Sequence, residues 1–300
     1  MAEAQLQRSV MADVLVQRPE FVKAAVDSST FGVVEKPISR WERVFNRSDV
    51  RKVLILLVLA TAWQVYALVL NNELLFPKLT STFQSLWEGV IKGPLVMRAW
   101  FTLKILLQGY VAGVLLAALM TIIAISSKVG TDLLETLTGM FNPLPAMALF
   151  PLALLWFGLG SGSLIFILIH SVLWPVALNT HSGFKSVSNT LRMVGRNYGL
   201  TGMRYVSLIL IPAAFPSILT GMKIGWAFAW RTLIAAELAF GVTSSSGGGL
   251  GWYIFENKNM LEIAAVFAGL VTVILIGLFM ENVVFRNIEM RTVRKWGMQN

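Results

Sequence analysis

Apolar residues gather into six long runs along this chain: about Val53 to Leu70, Trp100 to Ile125, Phe141 to Phe157, Leu164 to Asn179, Ser217 to Phe240 and Ile263 to Phe285. A run of ~20 such residues crosses a bilayer as a helix, because its backbone hydrogen bonds must be satisfied without water. The pattern therefore predicts an all-α integral membrane protein with six transmembrane helices. The third and fourth runs are short, and only Gly158-Leu159-Gly160-Ser161-Gly162-Ser163 separates them. That connector suits a tight helical hairpin better than the alternative, one long buried helix. Leu79 to Val90, with Pro77 ahead of it, has the pattern of a short amphipathic helix. Near the amino end, Trp41, Val44 and Phe45 alternate with Arg40, Glu42, Arg43 and Arg47, the stripe of an interfacial helix or of a simple solvated one. It closes a polar tail, residues 1–50, whose helical potential near Met11 to Ala25 is interrupted at Pro19.

Composition sharpens the class. Hydrophobic residues are 56% and charged residues 14%, with a mean hydropathy of +0.68, far from a soluble balance. The absence of cysteine excludes disulfides and thiolate metal sites, and two histidines, His170 and His181, are too few for a histidine metal centre. A net charge of +9 would fit nucleic acid, but the cations cluster beside apolar runs, as membrane topology requires, so no nucleic acid is expected. Arg40, Arg43, Arg47, Arg51 and Lys52 precede the first run. Lys185, Arg192, Arg196 and Arg204 occupy the fourth connection, and Arg286, Arg291, Arg294 and Lys295 follow the last run. With six spans all three groups fall on one side, so both termini are expected to be cytoplasmic. The second connection, with Lys128, Asp132 and Glu135, joins them there. The opposite connections, Asn71 to Ala99, Gly158 to Ser163 and Gly241 to Glu262, are balanced or nearly uncharged. Residues 1–38 mix acids and bases without a long apolar run, so no secretory signal is expected. The domain reading is a tail over 1–50, a membrane body over 51–286 with its main cytoplasmic loop at 181–208, and a tail over 287–300.

From His181 to Ser207 the chain contains no Asp or Glu. Within and after this stretch come Gly199, then Ile209, Ile211-Pro212, Pro216 and Gly221. The spacing resembles the cytoplasmic loop of ABC-importer permeases: Glu-Ala-Ala, three residues, Gly, nine residues, Ile, one residue, Leu-Pro. Gly199, Ile209, Ile211 and Pro212 fall on that pattern, while Met193-Val194-Gly195 replace Glu-Ala-Ala. Leu149-Phe150-Pro151 and Trp156-Phe157-Gly158-Leu159-Gly160 are similar to the third span of the nitrate, sulfonate, taurine and bicarbonate branch. Ile211 to Leu238, ending Ala235-Ala236-Glu237-Leu238, and Gly247 to Trp252 extend the likeness over about residues 55–285.

The resemblance implies a type I ABC-importer permease fold in a bacterial inner membrane, without catalytic residues. Two copies would form the path for a small anion. Two separate ATPase subunits carrying ATP and Mg would dock under the loop, and an extracytoplasmic solute-binding protein would deliver substrate. One or two short helices over Ser186 to Tyr205 would present Arg192, Gly195, Arg196, Gly199, Leu200, Thr201, Gly202 and Arg204 to the ATPase. Ile209, Ile211, Pro212 and Pro216 would shape the return into the membrane. No cofactor is expected in this chain, because no nucleotide-binding signature occurs. Gly247-Gly248-Gly249-Leu250-Gly251 lacks the Gly-Lys-Ser/Thr of a phosphate loop and reads as a flexible connector.

Pro143, Pro145 and Pro151 each remove a backbone donor, so the third span should be broken or kinked, either to line a pathway or to improve packing. The fifth run holds Lys223, Arg231 and Glu237. Lys223 is expected to snorkel and Glu237 to hydrogen-bond the glycine-rich segment. Arg231 lies mid-span and six residues from Glu237, on a different helical face. It is expected either to border the path or to pair with an acid of another span. The candidate path residues are thus Arg231, Glu237, Pro143, Pro145 and Pro151. Lys104 is expected at the interface and His170 as a hydrogen-bonded interior residue. The rival reading, a self-sufficient channel or ion-coupled carrier, predicts a repeat with matching broken helices, which the chain lacks. A membrane enzyme would need an acid, base and nucleophile constellation, also lacking.

Overall fold

The structure, a computed structural model, describes residues 45–240, 248–295 and 297. The expected tail helix around Trp41, the segment 1–38 and Gly247 of the glycine run lie outside these residues. The chain divides into two compact units at Leu57 and Val58, within the first apolar helix, α1 (Ser48–Leu70). In the smaller unit Arg51 Nη1 donates to the carbonyls of Phe45 (3.0 Å) and Asn46 (3.1 Å).

In the larger unit, the end of α1 is held by its polar edges. Trp63 Nε1 donates to Pro77 O at 3.0 Å, and Gln64 Oε1 accepts from the Leu79 amide at 2.9 Å. The latter bond starts α2 (Leu79–Ile91), the short helix that the sequence predicts. α3 follows over Leu95–Ser126, beginning five residues before the apolar run does.

The third span differs from expectation. Instead of a loop carrying Lys128, Asp132 and Glu135, a single residue, Ser127, separates α3 from α4 (Lys128–Phe141), and its Oγ caps the new helix by accepting from Gly130 N at 2.9 Å. These charges therefore ride on a helix whose other face, Gly130, Leu134 and Thr138, is buried. Helix propagation stops at Asn142 because Pro143 and Pro145 lack amides and fix φ. A short 3₁₀ turn (Ala146–Leu149) and α5 (Phe150–Phe157) continue in a new direction, bent by 87° from α4. Among the described residues five helices are long and apolar enough to cross a membrane, and the bent pair makes a sixth span if counted as one.

The connector to α6 (Ser161–Ser186) turns at Gly158, φ +71°. α6 is the most buried span and α1 the least. It is sandwiched between α3 and α9 (Ile211–Phe240), which approach it through small residues. A Cβ on Gly109 of α3 would lie 2.5 Å from Leu168 Cβ, and one on Gly221 of α9 would lie 2.8 Å from Asn179 Cβ. Bare backbone at such crossings permits the close van der Waals contact that associates helices in lipid.

Between α6 and α9 lie α7 (Asn189–Asn197) and α8 (Gly202–Tyr205), then a π-helical stretch, Val206–Leu210, that feeds α9. After the gap in the described residues come α10 (Leu250–Asn259) and α11 (Ile263–Phe279). α11 runs on through π-helical Met280–Phe285, α12 (Arg286–Glu289) and π-helical Met290–Arg294, so the helix passes well beyond the last apolar run. There Glu289 meets Lys223 at 2.6 Å. Lys223 is thus paired to a helix, where the sequence predicts a snorkelling side chain.

Candidate functional site

Three places carry the chemistry: the α7–α8 loop, the far end of α9, and a groove beside the broken span.

Ser188 begins α7, its Oγ accepting from Leu191 N at 3.4 Å. The helix ends in a tight reversal: Tyr198 N donates to Val194 O (3.0 Å), Gly199 N to Arg196 O (2.9 Å) and Leu200 N to Gly195 O (3.0 Å). Gly199 has φ +69° and Gly202 +54°, the left-handed region where a side chain is penalised. A Cβ at either glycine would meet no atom within 4 Å. The demand is conformational, and the space beyond is open.

The eight loop residues divide into groups. Arg196, Gly199, Thr201, Gly202 and Arg204 are exposed. Arg192 turns inward, Nε donating to Val187 O at 3.1 Å and Nη2 to Phe184 O at 2.5 Å. Gly195 is buried where a Cβ would lie 2.9 Å from the Tyr205 ring, and Leu200 is half-buried. Ile209, Pro212 and Pro216 are half-buried and Ile211 is exposed. Sequence reading missed the apolar part of the tip: Tyr198, 80% exposed, Met193 and Met203 also face outward. Their signal was available, since large apolar residues interleave with the loop's cations. Lys185 of this cationic stretch pairs with Glu135 of α4. Behind the loop lies a cavity of about 520 Å³ whose lining includes His181, Lys185, Arg192 and Arg196.

At the other end of α9, Glu237 is 2% exposed. Thr102 Oγ1 lies 3.0 and 3.1 Å from its two carboxylate oxygens, and Gly251 N donates to Oε2 at 2.8 Å. Leu250 N donates to Thr102 Oγ1 at 2.8 Å. The carboxylate thus caps α10, where the helix amides favour negative charge. A Cβ on Gly249 would strike the Glu237 carboxylate and the Thr102 hydroxyl, and one on Gly251 would come within 2.6 Å of Glu237 Cβ. From Gly248 onward the glycine run is therefore buried and packed, where the sequence predicts a flexible connector. Thr102 was missed because it is 135 residues away. On the same side, Arg98 of α3 pairs with Glu256 of α10 at 3.0 Å.

The groove occupies about 270 Å³ between α6 and α9, beneath the break between α4 and α5. Pro143, Pro145 and Arg231 line it together; Glu237 and Pro151 do not. Arg231 is exposed, its Cζ lies 5.9 Å from the Phe228 ring, and no carboxylate reaches it among the described residues. His170, also in the lining, makes no hydrogen bond through either ring nitrogen, contrary to expectation. It packs edgewise against Trp174, with ring centroids 6.0 Å apart. Lys104 is exposed.

Comparison with known proteins identifies the family of the chain. The family model described as "Binding-protein-dependent transport system inner membrane component" matches residues 109–291. A relative from Methanocaldococcus jannaschii that carries an ABC transporter permease name is 30% identical over 243 residues, 80% of this chain and 90% of the relative. The taurine transport system permease protein TauC of Escherichia coli is 27% identical over 248 residues, 81% of this chain and 88% of its own length. The nitrate import permease protein NrtB of Synechocystis is 27% identical over 246 residues, with coverages of 79% and 87%.

Proposed function

Because the chain belongs to the family of binding-protein-dependent transport system inner membrane components, we propose that it is the permease subunit of an ATP-driven importer of small anions. Nitrate, sulfonate and taurine, the solutes for which its relatives are named, mark the substrate class. Two copies form the path, an extracytoplasmic binding protein delivers the solute, and both termini lie in the cytoplasm. ATP and Mg reside on two partner ATPase subunits.

The observation that carries this reading is the protruding α7–α8 tip. It combines two left-handed glycines, exposed Arg196 and Arg204, and outward Tyr198 and Met203. Exposed aromatic and methionine side chains edged by arginine are the composition of a protein interface. Arg192 and Gly195 support it from within, bracing α7 against the end of α6 and against Tyr205.

The test is Gly199→Asp in the assembled transporter. Open space around that position and the tolerance of Asp for left-handed φ keep the strain local, while a carboxylate enters a cationic contact. The variant should reach the membrane and lose co-purifying ATPase together with ATP-dependent uptake. Normal uptake would sink the proposal. Without ATPase subunits the chain should accumulate no solute on an ion gradient; gradient-driven uptake would favour a secondary carrier.

A further inference from the structure

The groove beside the proline break holds more unsatisfied hydrogen-bond donors than its packing explains. Trp174 is 7% exposed, yet its Nε1 has no partner, and neither ring nitrogen of buried-edge His170 has one. Buried polar atoms of this kind are nearly always paired in folded proteins. Phe141 stacks on Trp174 with centroids 5.3 Å apart and planes 12° off parallel. The indole is therefore fixed by its face, with its N–H edge left over. Across the groove stands Arg231, with a ring at one side and no carboxylate.

His170 and Arg231 share one depth, and Trp174 lies about one helical turn further along α6. His170 is nine residues from the start of α6 at Ser161, and Arg231 nine from the end of α9 at Phe240. At 1.5 Å per residue both lie about 13 Å from the helix ends opposite the loop, well inside the hydrocarbon. A cation at that depth needs an opposite charge or water.

We propose that this groove is an anion subsite in which Arg231, Trp174 and His170 donate hydrogen bonds to the oxygens of the transported solute. Tryptophan and arginine only donate, so the site selects an acceptor-rich, negatively charged group and repels cations. Guanidinium geometry matches the paired oxygens of nitrate, bicarbonate or a sulfonate. A cavity of about 270 Å³ admits such an anion with a short substituent or a few waters. The inference rests on the importer reading above and names the residues that recognise its cargo inside the membrane.

The experiment uses the whole transporter, with its ATPase and binding protein, in proteoliposomes, and measures uptake of nitrate, bicarbonate, methanesulfonate and taurine. If the wild-type complex moves none of them on ATP, the importer reading fails. If it moves one or more, Arg231→Gln should lower the maximal rate about tenfold or more, and Trp174→Phe about three- to tenfold, on the scale of a lost charge-assisted hydrogen bond. The half-saturating concentration should hold, because the binding protein sets it. Arg231→Lys should recover part of the rate by restoring charge without the fork. Co-purification of the ATPase reads assembly separately, a quantity that a purely structural role would move instead. Trp174→Phe keeps the stack on Phe141 and decides the matter if Arg231→Gln fails to assemble. Wild-type rates in assembled Trp174→Phe would overturn the subsite, as would a loss that only tracks assembly.

Discussion

Six residues apart on α9, Glu237 and Arg231 live in opposite circumstances. The carboxylate is sealed in the protein and accepts from a hydroxyl on a helix 135 residues away and from an amide of the next helix along the chain. The guanidinium is exposed, faces unsatisfied donors, and has no acid within reach among the described residues. A buried carboxyl that takes hydrogen bonds from two other helices holds structure together. A mid-span charge without one among the described residues is what the proposed anion subsite requires.

That contrast can be broken by mutation. Glu237→Ala removes the cap of α10 and strands the Thr102 hydroxyl and the Gly251 amide, so unfolding in mixed detergent micelles should show a loss of about 3 kcal/mol. Glu237→Gln, which keeps an acceptor for both donors, should lose far less, and equal losses would refute the capping role. The Lys223–Glu289 pair is intermediate, with side chains 26% and 22% exposed. Lys223→Met should cost about 1 kcal/mol in the same titration, and less at high salt. Arg231→Leu should have the smallest effect, within about 0.5 kcal/mol of wild type or stabilising, since no protein carboxylate is left behind. A loss as large as that of Glu237→Ala would reveal an acid partner and erase the distinction.

What could be read from residues alone follows a physical rule. Spans announce themselves because lipid demands ~20 contiguous apolar residues, and the glycine turn at Gly199 because few residues tolerate its φ. α4 escaped notice because only one of its faces is buried, so Lys128, Asp132 and Glu135 give it the look of a loop. The Glu237 bond to the glycine segment was legible since the two are neighbours in sequence. Its Thr102 half was not, because it depends on how α3 lies against α9. His170 and Trp174 read as ordinary interior residues for the same reason: nothing along the chain tells that their nitrogens and Arg231 border one groove.

From Gly202 to Phe240 the backbone is helical without interruption for 39 residues, a rod of about 58 Å at 1.5 Å per residue. One end is the tip that meets the ATPase in the proposed assembly; the other carries the carboxylate clasped to α10. A tilt of about 5° at the first end displaces the second by about 5 Å over that length. The rod is thus a lever long enough to carry a stroke from one membrane face to the other, with Arg231 riding on its shaft between the two.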